Sequence, residues 1–275
     1  MSTPTADKDP SAWTELATLW RARTLLGAFT RNEIRARYIG SSLGLFWAVV
    51  IPLLELLTYT FVFHTLLAVN FHAEGSTQHF VLFLFCGIMA WAGFADGITR
   101  CTTCITDHAH LVRKLNFPAI VLPAHLVLST LVNQGFRLVI LLLGMLLIGD
   151  GWSWHLLFAF PFLLVQAMLT LGVGMFLATM NVYFRDMGHW VNAALMFGMF
   201  VTPVFYPASA YPRQFILLLA PNPMAQFIGI YHAFLLNQTF PPATSILYAV
   251  VVSFVALVVG ASVFAHNRGE FPDLV

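Results

Sequence analysis

Leu138-Val139-Ile140-Leu141-Leu142-Leu143-Gly144-Met145-Leu146-Leu147 is apolar at every position. Strands of an outer-membrane barrel alternate apolar and polar residues over roughly ten positions. This segment does not alternate, so it reads as helix. It lies inside a longer apolar stretch, 119–148, which exceeds the roughly 20 residues a helix needs to cross a bilayer core. Reading outward from it, five more stretches qualify: 43–69, 80–98, 156–180, 190–204 and 245–265. The 190–204 stretch is short and runs on toward the residues after Val204. Helices are the default because lipid offers no partner for unpaired backbone groups.

Composition agrees. Of the 275 residues, 59% are hydrophobic and 9% are charged, against roughly 45–50% and 25% in soluble domains. A soluble fold of this size could not hide that much apolar surface. An ordinary cytosolic enzyme and a disordered chain are excluded. The net charge of +1 gives no electrostatic case for a nucleic-acid partner. Three cysteines (Cys86, Cys101, Cys104) do not make a disulfide scaffold. The first twenty residues lack the apolar core and cleavage site of a signal peptide, so the internal spans are expected to drive insertion.

The cations are unevenly placed. Lys8, Arg21, Arg23, Arg31, Arg35 and Arg37 precede the first span. Arg100, Arg113 and Lys114 follow the second, Arg185 follows the fourth, and Arg268 lies in the tail. The opposite loops hold Arg213 alone. Positive residues mark the cytoplasmic side, so both termini are expected there. Residues 13–38 mix Trp13, Leu16, Trp20 and Phe29 with arginines, as in a helix lying in the membrane interface. Residues 203–237 carry Pro203, Pro207, Pro212, Pro221 and Pro223 between apolar pieces too short to cross. They read as a re-entrant hairpin at the outer mouth. The expected fold is therefore an all-α polytopic membrane protein. It has an N-terminal segment, 1–42, with an amphipathic interfacial helix. A transmembrane domain, 43–275, has six spans and a proline-broken hairpin between spans five and six.

No phosphate-cradling glycine loop, metalloprotease histidine pair or nucleophile elbow is present. Chemistry must come from elsewhere. Ionisable residues inside spans are costly and usually functional. Glu55 lies about 12 residues into the first span, at a depth of roughly 18 Å. Arg137 lies in the outer half of the third, beside Asn133 and Gln134, and Asp96 near the cytoplasmic end of the second. Depth pairs Glu55 with Arg137, as a structural pair, the lining of a polar route, or a proton relay. Trp47, Tyr59, Trp91, Phe197 and Phe205 are aromatics able to stack on sugar faces along such a route. Cys101, Cys104, His108 and His110 give a C-x-x-C-x-x-x-H-x-H pattern, but its spacing is unusual for zinc and packing is the plainer reading. Residues 101–118, ending Arg113-Lys114-Leu115-Asn116-Phe117-Pro118, read as a cytoplasmic loop whose charged and aromatic residues suit protein docking.

Several motifs carry a resemblance. Arg31-Asn32-Glu33-Ile34-Arg35-Ala36-Arg37-Tyr38 is followed by Gly44, Trp47 and Pro52. Then come Lys114 to Pro118 with Pro123, Phe184-Arg185-Asp186, Thr202-Pro203-Val204-Phe205-Tyr206-Pro207, Asn222-Pro223-Met224, and a tail with Phe271. In order and spacing the chain resembles ABC-2 type permeases of the branch exporting capsular polysaccharide, O-antigen and teichoic acid. The resemblance implies a bacterial inner-membrane homodimer with a channel at its interface. It implies two copies of a separate ATPase, which holds ATP and Mg, while this chain holds no cofactor or metal and is not itself an enzyme. Arg113, Lys114, Phe117, Arg35 and Arg37 would couple to that ATPase. Arg185 and Asp186 would lie near the cytoplasmic gate, and Tyr206 joins Glu55, Arg137, Trp47, Tyr59 and Phe205 as a gate or channel residue. Implied partners are a lipid-linked polysaccharide, membrane lipid and periplasmic export components. An ABC-2 permease for a small hydrophobic drug or lipid, and a self-powered carrier or intramembrane enzyme, are the alternatives.

Overall fold

A computed structural model describes residues 11–39, 44–66, 77–114, 117–148, 153–211, 214, 219 and 221–275. All regular elements among them are helical. They are α1 (Ala12–Arg21), α2 (Arg23–Ile39), α3 (Trp47–Thr60), α4 (Thr77–Asp107), α5 (Ala109–Val112), α6 (Val121–Ile148), α7 (Ala159–Tyr183), α8 (Met187–Val201), α9 (Pro223–Tyr231), α10 (Ala243–Asn267) and α11 (Phe271–Leu274). A wider π turn, Phe61–Leu66, continues α3, and another, His232–Leu236, continues α9. Among the described residues, four segments are long and apolar enough to cross a membrane: Phe80–Asp107, Val121–Leu147, Trp154–Tyr183 and Ala243–Asn267. Trp47–Thr60, Met187–Val201 and Pro223–Leu236 are apolar but shorter.

The middle of α4 is the centre of the bundle. Leu84, Phe85, Cys86, Ile88, Met89 and Ala90 are all buried, so this helix is covered on every side. It packs against α6 and α7, and α10 closes on α7. The α7–α10 crossing depends on missing side chains. A Cβ on Gly260 would lie 2.0 Å from the Gly172 carbonyl oxygen, and one on Gly172 would lie 2.3 Å from the Ala256 carbonyl carbon. Backbones approach this closely only where small residues line both helices. The outer face of α10 leaves Leu247, Val251, Val255 and Val259 exposed, a surface suited to lipid.

Local chemistry sets the element ends. Ser11 and Thr14 cap α1 reciprocally, the Thr14 amide donating to Ser11 Oγ and the Ser11 amide to Thr14 Oγ1. Gly44 adopts φ 49°, a left-handed conformation that favours glycine, in the turn entering α3. Pro52 sits inside α3 and removes one helical hydrogen bond. At the opposite end of the bundle from Arg113 and Arg268, Asn222 caps α9 by accepting from the Met224 amide at 3.0 Å. Its Nδ2 donates to Thr202 Oγ1 at 2.8 Å, tying α9 to the end of α8.

The helices starting at Val121, Trp154 and Ala243 lie within a few residues of the expected stretches. The second differs: α4 runs to Asp107, nine residues beyond the expected end at Ile98. Residues 101–107 are thus helix and not loop, and Asp96 lies well inside the helix, not near its end. Residues 99–106 include Thr99, Arg100, Thr102, Thr103 and Thr106. Thr102 Oγ1 donates to the Ile98 carbonyl at 2.7 Å and Thr106 Oγ1 to the Thr103 carbonyl at 2.8 Å, so these side chains satisfy themselves on the helix. Lys8, Leu115, Asn116, Arg213, residues 67–69 and most of 212–220 lie outside the described residues.

Gly260→Val is expected to lower stability by about 1–3 kcal/mol, read as a lower melting temperature in lipid nanodiscs. Gly27→Ala, where nothing lies within 4 Å of the added carbon, is expected to leave it unchanged or to raise it by up to about 1 kcal/mol.

Candidate functional site

A cavity of about 610 Å³ opens between α3 on one side and α4 and α6 on the other. Its polar wall includes Arg37, Asp96, Thr130, Glu55 and Arg137, and Trp47, Tyr59 and Trp91 supply flat apolar faces. Charges inside an apolar bundle survive when paired. Arg37 donates to both carboxylate oxygens of Asp96 at 3.0 Å, and Thr130 Oγ1 donates to Asp96 at 3.3 Å. Deeper in, Arg137 meets Glu55 at 3.4 Å. A third pair, Glu33 with Arg100, lies beside the cavity, and Arg100 also donates to Ser129 Oγ at 3.2 Å.

The expected Glu55–Arg137 pair is therefore formed. Trp47 and Tyr59 line the cavity with it. Arg37, expected to serve coupling, stands at the cavity wall, paired with Asp96. Phe205 is buried, with its ring 4.9 Å from Tyr59 and 5.7 Å from Phe200, so it packs behind the cavity. The Tyr206 hydroxyl donates to the Phe200 carbonyl at 2.6 Å and pins the chain after α8.

One hub was missed. Gln166, an amide in the apolar run of α7, is buried and makes three hydrogen bonds. Its Oε1 accepts from Gln134 Nε2 at 2.9 Å and from the Tyr231 hydroxyl at 2.8 Å, and its Nε2 donates to the Ala90 carbonyl at 2.7 Å. It ties the cavity wall to α9. Gly93 makes room for this, since a Cβ there would lie 2.6 Å from the Gln134 side chain. A single glutamine among residues such as Leu164, Val165 and Ala167 was the signal that could have found it.

The arginine-rich end carries the other expected residues. Arg113, Lys114, Arg35, Arg185 and Asp186 are exposed, and Phe117 is half-buried with its ring 6.1 Å from Phe29. Arg113 Nε donates to the Val275 main-chain oxygen at 2.9 Å, joining the turn after α5 to α11. A cleft of about 260 Å³ beside it is lined by Arg113, Lys114, Phe117, Arg268 and Glu15. Glu15 is buried and paired with Arg268. Burial pushes its carboxyl up, and the Arg268 charge pulls it the other way. Cys101 and Cys104 are buried in α4, and His108 Nδ1 lies 3.0 Å from the Cys104 carbonyl. Among the described residues no group of three His, Cys, Asp or Glu side chains is placed to hold a metal ion.

Gln166→Leu strands the Gln134 amide, the Tyr231 hydroxyl and the Ala90 carbonyl, and is expected to cost about 3 kcal/mol. Tyr231→Phe removes one donor and is expected to cost about 1 kcal/mol. Melting temperatures of the purified variants check the order.

The chain is 32% identical over 259 residues to the O-antigen export system permease protein RfbA of Myxococcus xanthus, covering 94% of this chain and 97% of that one. It is 26% identical over 257 residues to the protein of the same name from Klebsiella pneumoniae, covering 91% of this chain and 95% of that one. The profile of the ABC-2 type transporter family matches residues 24–236. With that match over most of its length, this multi-pass helical chain belongs to the ABC-2 type transporter family.

Proposed function

We propose that this chain is the membrane-spanning subunit of an ATP-driven exporter that moves a lipid-linked polysaccharide across the bacterial cytoplasmic membrane. The observation that carries the reading is the 32% identity to an O-antigen export permease over 94% of the chain. The polar cavity inside an apolar bundle agrees with it, because charged groups at membrane depth usually serve a transported substrate.

On this reading α3 with its π turn, α4, α6, α7, α8 and α10 are the six spans. The first 42 residues are then a cytoplasmic segment whose α1 and α2 lie in the interface, with 43–275 the transmembrane domain. Both termini face the cytoplasm, because the arginine-rich end meets the positive-inside rule. The α9 segment and the proline-rich stretch before it form the re-entrant hairpin on the outer side. Leu54 and Leu57 on α3 and Phe61 in its π turn, with Met196, Phe197 and Phe200 on α8, are exposed and apolar. They meet a second copy of the chain, and the polymer passes between the two.

Two copies of a separate ATPase, with ATP and Mg, dock at the face carrying Arg113, Lys114, Phe117 and Arg35. Arg185 and Asp186 lie beside the inner entrance. Periplasmic components receive the polymer. This chain transports and does not catalyse.

Deleting the gene in its host is expected to remove the surface polysaccharide and to accumulate polymer inside. Unchanged pools would turn the reading to a small hydrophobic substrate, and loss of both would point to synthesis. Replacing Arg113 and Lys114 together by Glu is expected to cut export roughly tenfold or more, the cost of breaking charge pairs at an interface. The variant should still be present in the membrane at normal level. Normal export by that variant would remove the docking role.

A further inference from the structure

The smaller cleft, of about 260 Å³, lies at the arginine-rich end of the bundle. Four elements meet there: α1, the turn from α5 into α6, the end of α10, and α11. Arg113, Lys114 and Arg268 line it, with one carboxylate, Glu15. Ala119 is also a lining residue, and α6 starts two residues after it. The positive end of the α6 dipole therefore stands at the same place.

The three cations are not equally engaged. Arg268 Nη1 holds Glu15, and Arg113 gives Nε and Nη2 to the Val275 main-chain oxygen. Lys114 has no carboxylate within ion-pair distance among the described residues. It brings three donors and a full charge to the cleft. An uncharged occupant would leave that charge unmatched. A phosphate matches it, because its oxygens accept charge-assisted bonds from several cations at once.

Depth decides between a soluble phosphate and that of a lipid. Arg268 is the first residue after α10, and Phe117 stands four residues before α6. The cleft thus lies where two spans leave the hydrocarbon. Helix α1 joins it to the lipid-facing surface: Glu15 and Thr18 line the cleft, while the Trp13 ring lies 6.4 Å from Phe254 on α10. Phe254 is exposed, as are Leu247, Val251 and Val255 on the same helix. That face offers acyl chains an apolar path beside the cleft.

We propose that the cleft between α1, the α5–α6 turn and α11 seats the phosphate of an anionic phospholipid of the inner leaflet, held by Lys114, Arg113 and Arg268, with its acyl chains along α10. Basic pockets between membrane helices on the cytoplasmic side take such headgroups. The proposal goes beyond the export reading and rests on it only for the membrane face on which the cleft lies.

The test titrates the full chain in detergent with phosphatidylglycerol, phosphatidylcholine, diacylglycerol and soluble glycerol 3-phosphate. Native mass spectrometry reads the affinity of the first bound molecule. Phosphatidylglycerol is expected to bind roughly fivefold or more tighter than phosphatidylcholine and diacylglycerol. Lys114→Gln removes a cation that makes no ion pair, and is expected to lose roughly fivefold of that affinity. Thr18→Leu narrows the cleft without touching a charge, since Thr18 Oγ1 donates within α1 to the Thr14 carbonyl. It should give a similar loss, which keeps the test decisive if the charge variant fails to fold. Equal affinity for phosphatidylglycerol and phosphatidylcholine, or unchanged phosphatidylglycerol affinity in both variants, would overturn the proposal. Glycerol 3-phosphate binding as tightly as phosphatidylglycerol would also overturn it and leave a soluble-anion site. If Lys114→Gln keeps its lipid but no longer captures the ATPase, the cleft belongs to an acidic side chain of that subunit and the proposal falls. Failure of the export reading is distinct: it is seen when the gene deletion leaves surface polysaccharide unchanged, whatever the cleft binds.

Discussion

Charges placed inside an apolar bundle have to find partners, and three guanidinium–carboxylate pairs do so on one face of the molecule: Glu33 with Arg100, Arg37 with Asp96 and Glu55 with Arg137. One member of each pair stands on α4 or α6, and the other comes from α2 or α3. These pairs tie α2 and α3 to α4 and α6. The alternative, burial of a wide apolar face, is what mainly joins α4, α6, α7 and α10, with the Gln134–Gln166 bond enclosed within it. A paired charge is costly to desolvate, and attraction repays that cost only with good geometry. The face built this way therefore keeps polar volume, and the cavity is that volume.

Much of this was legible in the sequence. Unbroken apolar runs gave the helical class. Counting residues from span ends put Glu55 near mid-membrane and Arg137 in the outer half, within reach of its long side chain, and the two meet at 3.4 Å. Residues 202–211 leave the α-helix after α8, and Pro223 opens α9. Other features were not legible. A helix that carries Arg100, Thr102, Thr103 and Thr106 reads as a loop until those groups are seen to bond to Glu33 or to the helix itself. The Arg37–Asp96 pair joins residues 59 apart in sequence, and no periodicity links them. Phe205 looked like a channel aromatic because burial of an aromatic is decided by what crosses it. Gly87 admits the Val204 backbone against α4, since a Cβ there would lie 2.5 Å from the Val204 oxygen, and Phe205 follows it inward.

Helix α2 connects the two halves of the proposed function. Arg35 and Arg37 are two positions apart on it, so they project to nearly opposite sides. Arg35 is exposed at the face assigned to the ATPase, and Arg37 holds Asp96 at the cavity. A shift of this one helix moves both. At the far wall, Gln134, Gln166 and Tyr231 join the cavity to α9. The cavity thus touches an element from each end of the bundle through direct side-chain bonds, an arrangement suited to passing a rigid-body movement from one side of the membrane to the other.

The dependence of α2 on its ion pairs is tested most directly by exchanging Glu33 and Arg100. Glu33→Arg alone and Arg100→Glu alone place like charges together and should each lower the melting temperature of the nanodisc-embedded chain. The exchanged pair, carrying both substitutions, is expected to recover most of that loss, with a coupling of roughly 1 kcal/mol or more. If the exchanged protein melts as low as the two single losses added together, the charges do not interact and the ion pairs do not hold α2 in place.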